Sequence, residues 1–346
     1  MDHTIMSGQL EKTECQRVMI NNVLDGRYKD GIDRDARNGL TTLPKSIPSK
    51  YFYDAHGSKL FDDICGLPEY YPTRLELAIL NQFAPDIMRN SNDRDLVELG
   101  SGDNTKVRVL LEATGRSNRG TLRYIPVDIS EAAVVDSSQD LGKSYPELQV
   151  TGLVADFTCQ LNCLPNERPK TYLFLGSTIG NLNRQERSAF LWNLARNMGP
   201  EDTLLVGFDM IKPKAVLEAA YNDSEGVTAE FNKNVLNVLN RELDGDFIAD
   251  HFDHLAFFNE DRNRMEMHLK ANCDSVVNLG SLGLKIDFRQ GETIHTENSR
   301  KFLPGDIKEV TSEAGLTIKD WYYDPKGWFS LVVMGPGNGG GNQGRG

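Results

Sequence analysis

The sequence predicts an α/β protein, a sheet built by crossover connections with a second α+β unit attached. Three observations carry that expectation. Between about residues 73 and 210, short apolar runs alternate with amphipathic helical patterns, the rhythm of parallel strands joined by helices. The first of these runs ends in the glycine turn "GSG" (100–102), and the next two end in aspartates, Asp128 and Asp156.

The bulk composition narrows the field. A chain of 346 residues, 39% hydrophobic and 25% charged, holds one large or two ordinary domains with a real core. A net charge of −12 and the lack of any basic run argue against a nucleic-acid partner, whose affinity comes from clustered Lys and Arg. No stretch approaches the roughly 20 apolar residues of a membrane span. The N-terminus lacks a signal peptide's apolar core, so a cytoplasmic location is expected. Cys15, Cys65, Cys159, Cys163 and Cys273 are odd in number and scattered, which suits reduced thiols. Neither Cys159 with Cys163 nor His251 with His254 has a second pair at zinc spacing, so no metal is expected.

Taken in order, residues 1–32 are polar and weakly periodic and read as a variable N-terminal segment outside the folded body. Thr73-Arg74-Leu75-Glu76 has the pattern of a capping box, opening a helix with Leu75, Ile79, Leu80 and Phe83 on one side. Strands follow at "DLVELGSG" (95–102), "LRYIPVDIS" (122–130) and "LQVTGLVADF" (148–157). The fourth run, in "TYLFLGSTIGNLNRQE" (171–186), goes from Tyr172–Leu175 into small polar residues and then a helix. Asn183 is its N-cap, Glu186 its N3 residue, and Phe190, Leu191, Leu194 and Met198 its stripe. "DTLLVGFDM" (202–210) is a fifth strand.

The segment 211–301 breaks this rhythm, with helical "AVLEAAY" and "FNKNVLNVLNREL" followed by alternating "RMEMHLKA" and "LGLKIDF", which suggest antiparallel strands. Together with residues 33–72 it is expected to form a unit over the sheet's ligand edge. Residues 73–210 and 302–334 then make the sheet unit, closed by "LTIKDWYYD" (316–324) and "GWFSLVVMG" (327–335). The Gly-rich "GPGNGGGNQGRG" (335–346) has nothing to bury and is expected to be a flexible tail.

The strand ends suggest a ligand. In an open α/β sheet the ligand lies beyond the carboxyl ends of the strands, and Gly100 and Gly102 remove side chains where it must come close. The residue three after Gly102 is Thr105, so the third glycine of the dinucleotide fingerprint is missing and a cofactor without a pyrophosphate is favoured. Asp128 can accept from both hydroxyls of a ribose, while Asp156 and Phe157 can hold the amino group and face of an adenine. Those features point to S-adenosylmethionine.

At this level of detail the chain resembles the histidine Nα-methyltransferases of ergothioneine biosynthesis, which trimethylate L-histidine to hercynine. The resemblance runs over about residues 33–334, through "PKSIPSKYFYDAHGSKLFDDICGLPEYYPTR", "LVELGSGDNTK", "FLGSTIGNL", "YNDSEGVTAEFNKNVLNVLNREL" and the segment around "HTENSRKF". It implies a class I (Rossmann-like) methyltransferase sheet with a substrate-binding unit. Gly100 and Lys106 would contact the methionine part of the cofactor, Asp128 the ribose, and Asp156 with Phe157 the adenine. Gly176 would let the activated methyl approach the amine.

For the amino acid, the resemblance assigns Asn181 and Tyr221 to the α-carboxylate, and Tyr53 and Tyr70 to the amine and ring. Glu297 and Ser299 would bind the imidazole from one face of a strand, and Met267 would line the side-chain pocket. Tyr53, Tyr70 and Asn181 are the expected catalytic positions, with a tyrosine or water held by it relaying the amine's proton. The implied partners are S-adenosylmethionine, L-histidine and its mono- and dimethyl forms, acting on a monomer with no nucleic acid or membrane. The alternatives are an N-methyltransferase of the same fold acting on another amine, such as a tryptophan derivative, a nicotinamide-dependent oxidoreductase, and a non-catalytic adenosyl-ligand binding protein. The missing third glycine argues against the second.

Overall fold

The computed structural model describes residues 18–24 and 27–337, so expectations for 1–17 and for 338–346 fall outside the described residues. The chain enters on β1 (Val18–Asn22) and runs through α1 (Arg27–Leu40), the two-residue β2 (Lys45–Ser46), α2 (Ala55–Gly66) and α3 (Tyr71–Ile87). Strand and helix then alternate through β3 (Asp95–Leu99), α4 (Thr105–Ala113), the short α5 (Gly115–Arg119), β4 (Arg123–Asp128), α6 (Glu131–Ser144) and β5 (Gln149–Val154). β6 (Lys170–Phe174), α7 (Arg184–Asn197) and β7 (Thr203–Asp209) complete that run.

The next stretch comprises α8 (Lys214–Tyr221), α9 (Val227–Leu243), β8 (Phe252–Asn259), β9 (Arg264–Ala271), β10 (Ser275–Leu279), β11 (Leu284–Phe288) and β12 (Thr293–Arg300). The chain ends its described part on α10 (Pro304–Glu313), β13 (Leu316–Tyr323) and β14 (Phe329–Pro336).

Eight strands form one sheet in the order β1-β5-β4-β3-β6-β7-β14-β13. β3 pairs in parallel with β4 on one side and β6 on the other, so the crossovers reverse direction between β3 and β6. That reversal leaves a crevice at the carboxyl ends of the strands, where ligands of open α/β sheets bind. The central strands are buried on both faces, which is why they read as near-continuous apolar runs. Adjacent residues point to opposite faces: Val97 packs toward Phe190 and Leu194 of α7 and Ile307 of α10, while Leu96 packs toward Ile79 of α3, Val107 of α4 and Leu141 of α6.

The stretch between β7 and α10 leaves the sheet and returns beside its exit. Phe302 N donates to Asp209 O at 2.9 Å, and Ile211 N donates to Phe302 O at 3.1 Å. Its strands β12, β9 and β8, joined at one edge by β2 from the N-terminal part, form a second, four-stranded sheet in the order β2-β12-β9-β8, and β10-β11 form a hairpin. A separate core joins this sheet to α1, α2, α8 and α9 through Phe52, Leu217, Leu236, Met265 and Phe288.

Three expectations are corrected. Residues 18–22 belong to the fold: β1 pairs in parallel with β5 as an edge strand. One-sided pairing leaves most of "VMINN" exposed, so no burial period marks it. The tail begins later than 335, because β14 runs to Pro336 and pairs with β13 through Leu316. The helix after residue 70 starts at Tyr71 with Pro72 in its first turn, not at Thr73, because a proline's fixed φ suits the first helical position. Glu76 therefore caps nothing and turns inward. The capping box at Asn183 and Glu186, by contrast, forms as expected.

Candidate active site

The crevice opens into a cleft of about 1150 Å³ between the strand ends and the second sheet, more than one drug-sized ligand requires. All thirteen residues singled out from the sequence line it: Tyr53, Tyr70, Gly100, Lys106, Asp128, Asp156, Phe157, Gly176, Asn181, Tyr221, Met267, Glu297 and Ser299.

One half of the cleft lies on the strand ends. β3 and β6 run out into left-handed backbone at Gly100 (φ +79°) and Gly176 (φ +74°), with Ser177 following at φ +57°. Only glycine adopts such angles without strain, and their adjacency across the switch point explains why the fourth apolar run ends softly. Asp128 accepts from Ser130 N at 2.8 Å, and burial pushes its carboxyl up to about 6. Asp156 Oδ1 accepts from Thr158 N at 2.9 Å, while the Phe157 ring packs edge-on against Phe174 and Phe190, at 5.7 and 5.9 Å between centroids.

Lys106 meets Glu76, a residue whose role the sequence reading missed. Glu76 is fully buried, accepts from Gly176 N with both oxygens at 3.0 and 2.9 Å, and pairs with Lys106 Nζ at 2.7 Å. One carboxylate thus ties α3, α4 and the end of β6 together. Burial pulls the Lys106 pKa down, but Glu76 outweighs it, so the ammonium stays charged. A cofactor carboxylate would share Lys106 with Glu76.

The other half is aromatic and acidic. Tyr53, Phe61, Tyr70, Tyr221 and Phe231 form a box of edge-on rings: Tyr53 lies 5.6 Å from Phe61 and 5.5 Å from Phe231, and Tyr70 lies 6.1 Å from Phe61 and 6.5 Å from Tyr221. Phe61 and Phe231 carry no polar atom, and nothing in "KLFDD" or "AEFNK" distinguishes them from core residues. Burial raises the phenols of Tyr53 and Tyr70 well above their usual range, so they remain protonated. They can pass a proton along a hydrogen-bond chain but cannot act as ionised bases.

A register shift in β12 between His295 and Glu297 sets Glu297 opposite Met267 and Ser299 opposite Met265, so Glu297, Ser299 and Met267 share the cleft face of the sheet. Burial pushes the Glu297 carboxyl up to about 7, against the pull of Lys301 and Asn181. Asn181 Nδ2 donates to Glu297 Oε1 at 2.9 Å, and Tyr221 Oη donates to Ser299 Oγ at 2.7 Å. The residues expected at a carboxylate end and those expected at a ring end are therefore hydrogen-bonded neighbours. They form one polar wall rather than two separated ends.

The second sheet's other face gathers Glu266, His268 and His295, whose ligand atoms lie within 4.8 Å of one another. Arg264 holds Glu266 Oε1 at 2.6 Å, and the two imidazoles stack at 4.7 Å and 26°. His254 bonds Asn232 and the Tyr221 carbonyl and serves packing.

A cleft at a sheet switch point, with glycine turns and strand-end acids on one side and an aromatic, acidic wall on the other, is the layout of an S-adenosylmethionine-dependent methyltransferase. The chain belongs to the family of histidine-specific, S-adenosylmethionine-dependent methyltransferases, whose family pattern it matches over residues 32–336. It is 44% identical to a histidine N-alpha-methyltransferase of Mycolicibacterium smegmatis, over 88% of this chain and 94% of that protein. Ergothioneine biosynthesis protein 1 of Schizosaccharomyces pombe is 28% identical over 83% of this chain, which spans 38% of that longer protein. An L-tryptophan methyltransferase of Psilocybe serbica is 26% identical over 87% of this chain and 92% of that protein. Among the described residues, no helix is long and apolar enough to cross a membrane.

Asp128 offers a direct check on the cofactor half. A carboxylate accepts from both hydroxyls of a ribose through its two oxygens only when ionised, and burial pushes this one up to about 6. Affinity for S-adenosylhomocysteine, measured by calorimetry, should therefore weaken as pH falls through about 6 and hold steady above it. Asp128→Asn should bind roughly 10- to 100-fold more weakly at neutral pH, the worth of a hydrogen bond to a charged group. An Asp128→Asn protein with unchanged affinity would remove Asp128 from the ribose site.

Proposed function

We propose that the protein transfers methyl groups from S-adenosylmethionine to the α-amino nitrogen of L-histidine. Three successive transfers give N,N,N-trimethylhistidine (hercynine), the first step of ergothioneine biosynthesis. The observation that carries this reading is the polar wall of Glu297 and Ser299, set on one strand face across the cleft from the glycine turn at Gly176.

In each transfer the amine lone pair attacks the methyl carbon, the carbon–sulfur bond breaks, and its electron pair stays on sulfur. Only the neutral amine reacts, so a proton leaves before the first transfer and one more after each of the first two. The remaining work is alignment of nitrogen, methyl carbon and sulfur, which anchoring both partners supplies. Histidine is short, so one contiguous wall reaches both its carboxylate, through the second amide proton of Asn181, and its ring, through Glu297 and Ser299, whereas Tyr221 gives its single proton to Ser299 and keeps none for the carboxylate. Anchored there, the amine points into the box of Tyr53, Phe61, Tyr70, Tyr221 and Phe231. Ring faces attract cations, including a quaternary ammonium that offers no N–H to bond. That environment tolerates a nitrogen growing from ammonium to trimethylammonium.

A tryptophan-type amine is the competing substrate. An indole N–H can satisfy Glu297, but indole offers no acceptor for a hydroxyl at Ser299, and a polar group left unpaired in a buried site costs about 1–3 kcal/mol. Every residue invoked comes from one chain, so a monomer suffices.

The test is incubation with S-adenosylmethionine and each common amino acid, read by mass spectrometry. Histidine should yield one, two and three methyl increments, and other amino acids little or nothing. Transfer to tryptophan at a rate equal to or above histidine would overturn the assignment.

A further inference from the structure

The residue behind the polar wall is Lys301, which follows β12 and is wholly buried. Its ammonium meets Asp209 Oδ2 at 2.7 Å, Tyr221 Oη at 2.9 Å and Ser299 Oγ at 2.9 Å. An ammonium has three donors and no acceptor, so these three oxygens use all its protons and each must accept. Burial works against the charge, but Asp209 and Tyr221 outweigh it and raise the pKa of Lys301 above its ordinary value.

Each hydroxyl thus already accepts from Lys301, and the direction of the contact between them decides which keeps a proton for the cleft: Tyr221 Oη donates to Ser299 Oγ. One of their two protons lies in the 2.7 Å contact between Tyr221 and Ser299, and the other is left over. With Tyr221 donating, both lone pairs of Ser299 Oγ are taken, by Lys301 and by Tyr221, and the Ser299 proton has only the cleft to turn to. On the same strand face an ionised Glu297 can only accept, and one of its oxygens is already held by Asn181.

We propose that Lys301 is a specificity-determining positioning residue that makes Ser299 an obligate donor. Paired with Glu297 as an acceptor, it restricts the pocket to a neutral azole bearing one N–H and one bare ring nitrogen, held as a single tautomer. This rests on the reading of Glu297 and Ser299 as the ring-binding pair.

The test is calorimetric titration of amino acids into protein saturated with S-adenosylhomocysteine, at a pH where imidazole is neutral. Three ligands separate the ring requirements: histidine, 1,2,4-triazol-3-yl-alanine, which keeps both an N–H and a bare nitrogen, and pyrrol-2-yl-alanine, which keeps only the N–H. The wild type should bind the first two at least about tenfold more tightly than the pyrrole, because a site built for a hydrogen bond rejects a ligand that lacks it. Lys301→Met should weaken histidine about tenfold or more and bring the pyrrole within a few-fold of it, since Ser299 is then free to turn its proton elsewhere. A residue that merely supports the fold would not change that ratio. Lys301→Met leaves Asp209 with Lys212 and Tyr71, so its charge remains compensated.

Ser299→Ala combined with Lys301→Met should be little worse than Ser299→Ala alone, because both changes remove the same contact. S-adenosylhomocysteine affinity should hold within about twofold throughout. Multiplying losses in the double variant, or an unchanged ligand ratio in Lys301→Met, would overturn the role of Lys301. The pyrrole analogue binding wild type as well as histidine does would overturn it without any variant. Normal histidine binding by Ser299→Ala would instead remove the ring-binding reading on which the proposal stands.

Discussion

Replacing Glu297 by alanine is expected to lower kcat/KM for histidine by about three to four orders of magnitude while leaving the Kd for S-adenosylmethionine within about twofold. The asymmetry follows from position. Glu297 lies on β12 in the second sheet, whereas Gly100, Asp128 and Asp156 lie at strand ends of the first. The size follows from burial: a site that hydrogen-bonds a polar ligand loses far more when one of its own partners is removed than a hydrophobic pocket loses with a methylene. Part of the loss arises at Asn181, whose amide donates to Glu297 in the unliganded protein and would lose that partner.

Glu297→Gln separates shape from charge. It keeps the volume but can turn an amide N–H toward a ring N–H, and should fall between wild type and Glu297→Ala. Steady-state kinetics with histidine, together with a cofactor titration of each variant, make the check. Unchanged kinetics in Glu297→Ala would sink the assignment of the ring site. The wild type carries a related signature. Because the Glu297 carboxyl is held at about 7, its accepting form is depleted as pH falls through that value, and kcat/KM should decline with it.

How much of this was legible in the sequence follows from burial. The six strands β3 to β7 and β14 were readable because inner strands of a covered sheet need apolar residues on both faces, while β13, an edge strand, was readable from its aromatic and β-branched run "LTIKDWYY". β1 was not, since it touches a single neighbour and most of its residues face solvent. The Thr73–Glu76 pattern misled because sequence spacing cannot tell a carboxylate that caps its own helix from one aimed at a lysine and a glycine turn elsewhere. The site residues were named through resemblance, and the strand-end acids also through position. Their partners were not legible. Hydrogen bonds such as Asn181 to Glu297 join segments far apart in the chain, and Lys301 belongs to a residue type almost never fully buried unless paired.

Asp209→Ala should produce the largest loss of stability, about 3–5 kcal/mol, which for a chain of this size corresponds to a fall in Tm of roughly 4–7 °C. Asp209 is fully buried at the end of β7 and takes hydrogen bonds from Lys212, from Lys301 at 2.7 Å and from the Tyr71 hydroxyl at 2.7 Å. Burial alone would raise its pKa, but the two ammonium groups outweigh that and hold it below the ordinary aspartate value. A group with a depressed folded pKa contributes stability above its unfolded pKa and loses it as pH falls through the folded one. This contribution is therefore present at neutral pH and disappears only below about pH 4.

Removing the carboxylate strands two buried cations at the point where the chain leaves the main sheet and later returns. Lys212, whose pKa burial has already lowered to about 8, can shed its proton at modest cost. Lys301 owes its raised pKa first to Asp209, so without the carboxylate it is a buried amine whose charge burial opposes. The double variant Asp209→Ala with Lys301→Met should therefore recover part of the lost stability, although histidine binding stays impaired. Thermal and urea unfolding at neutral and acidic pH make the comparison. A single variant within about 1 kcal/mol of wild type would mean that the cluster stabilises far less than its burial implies.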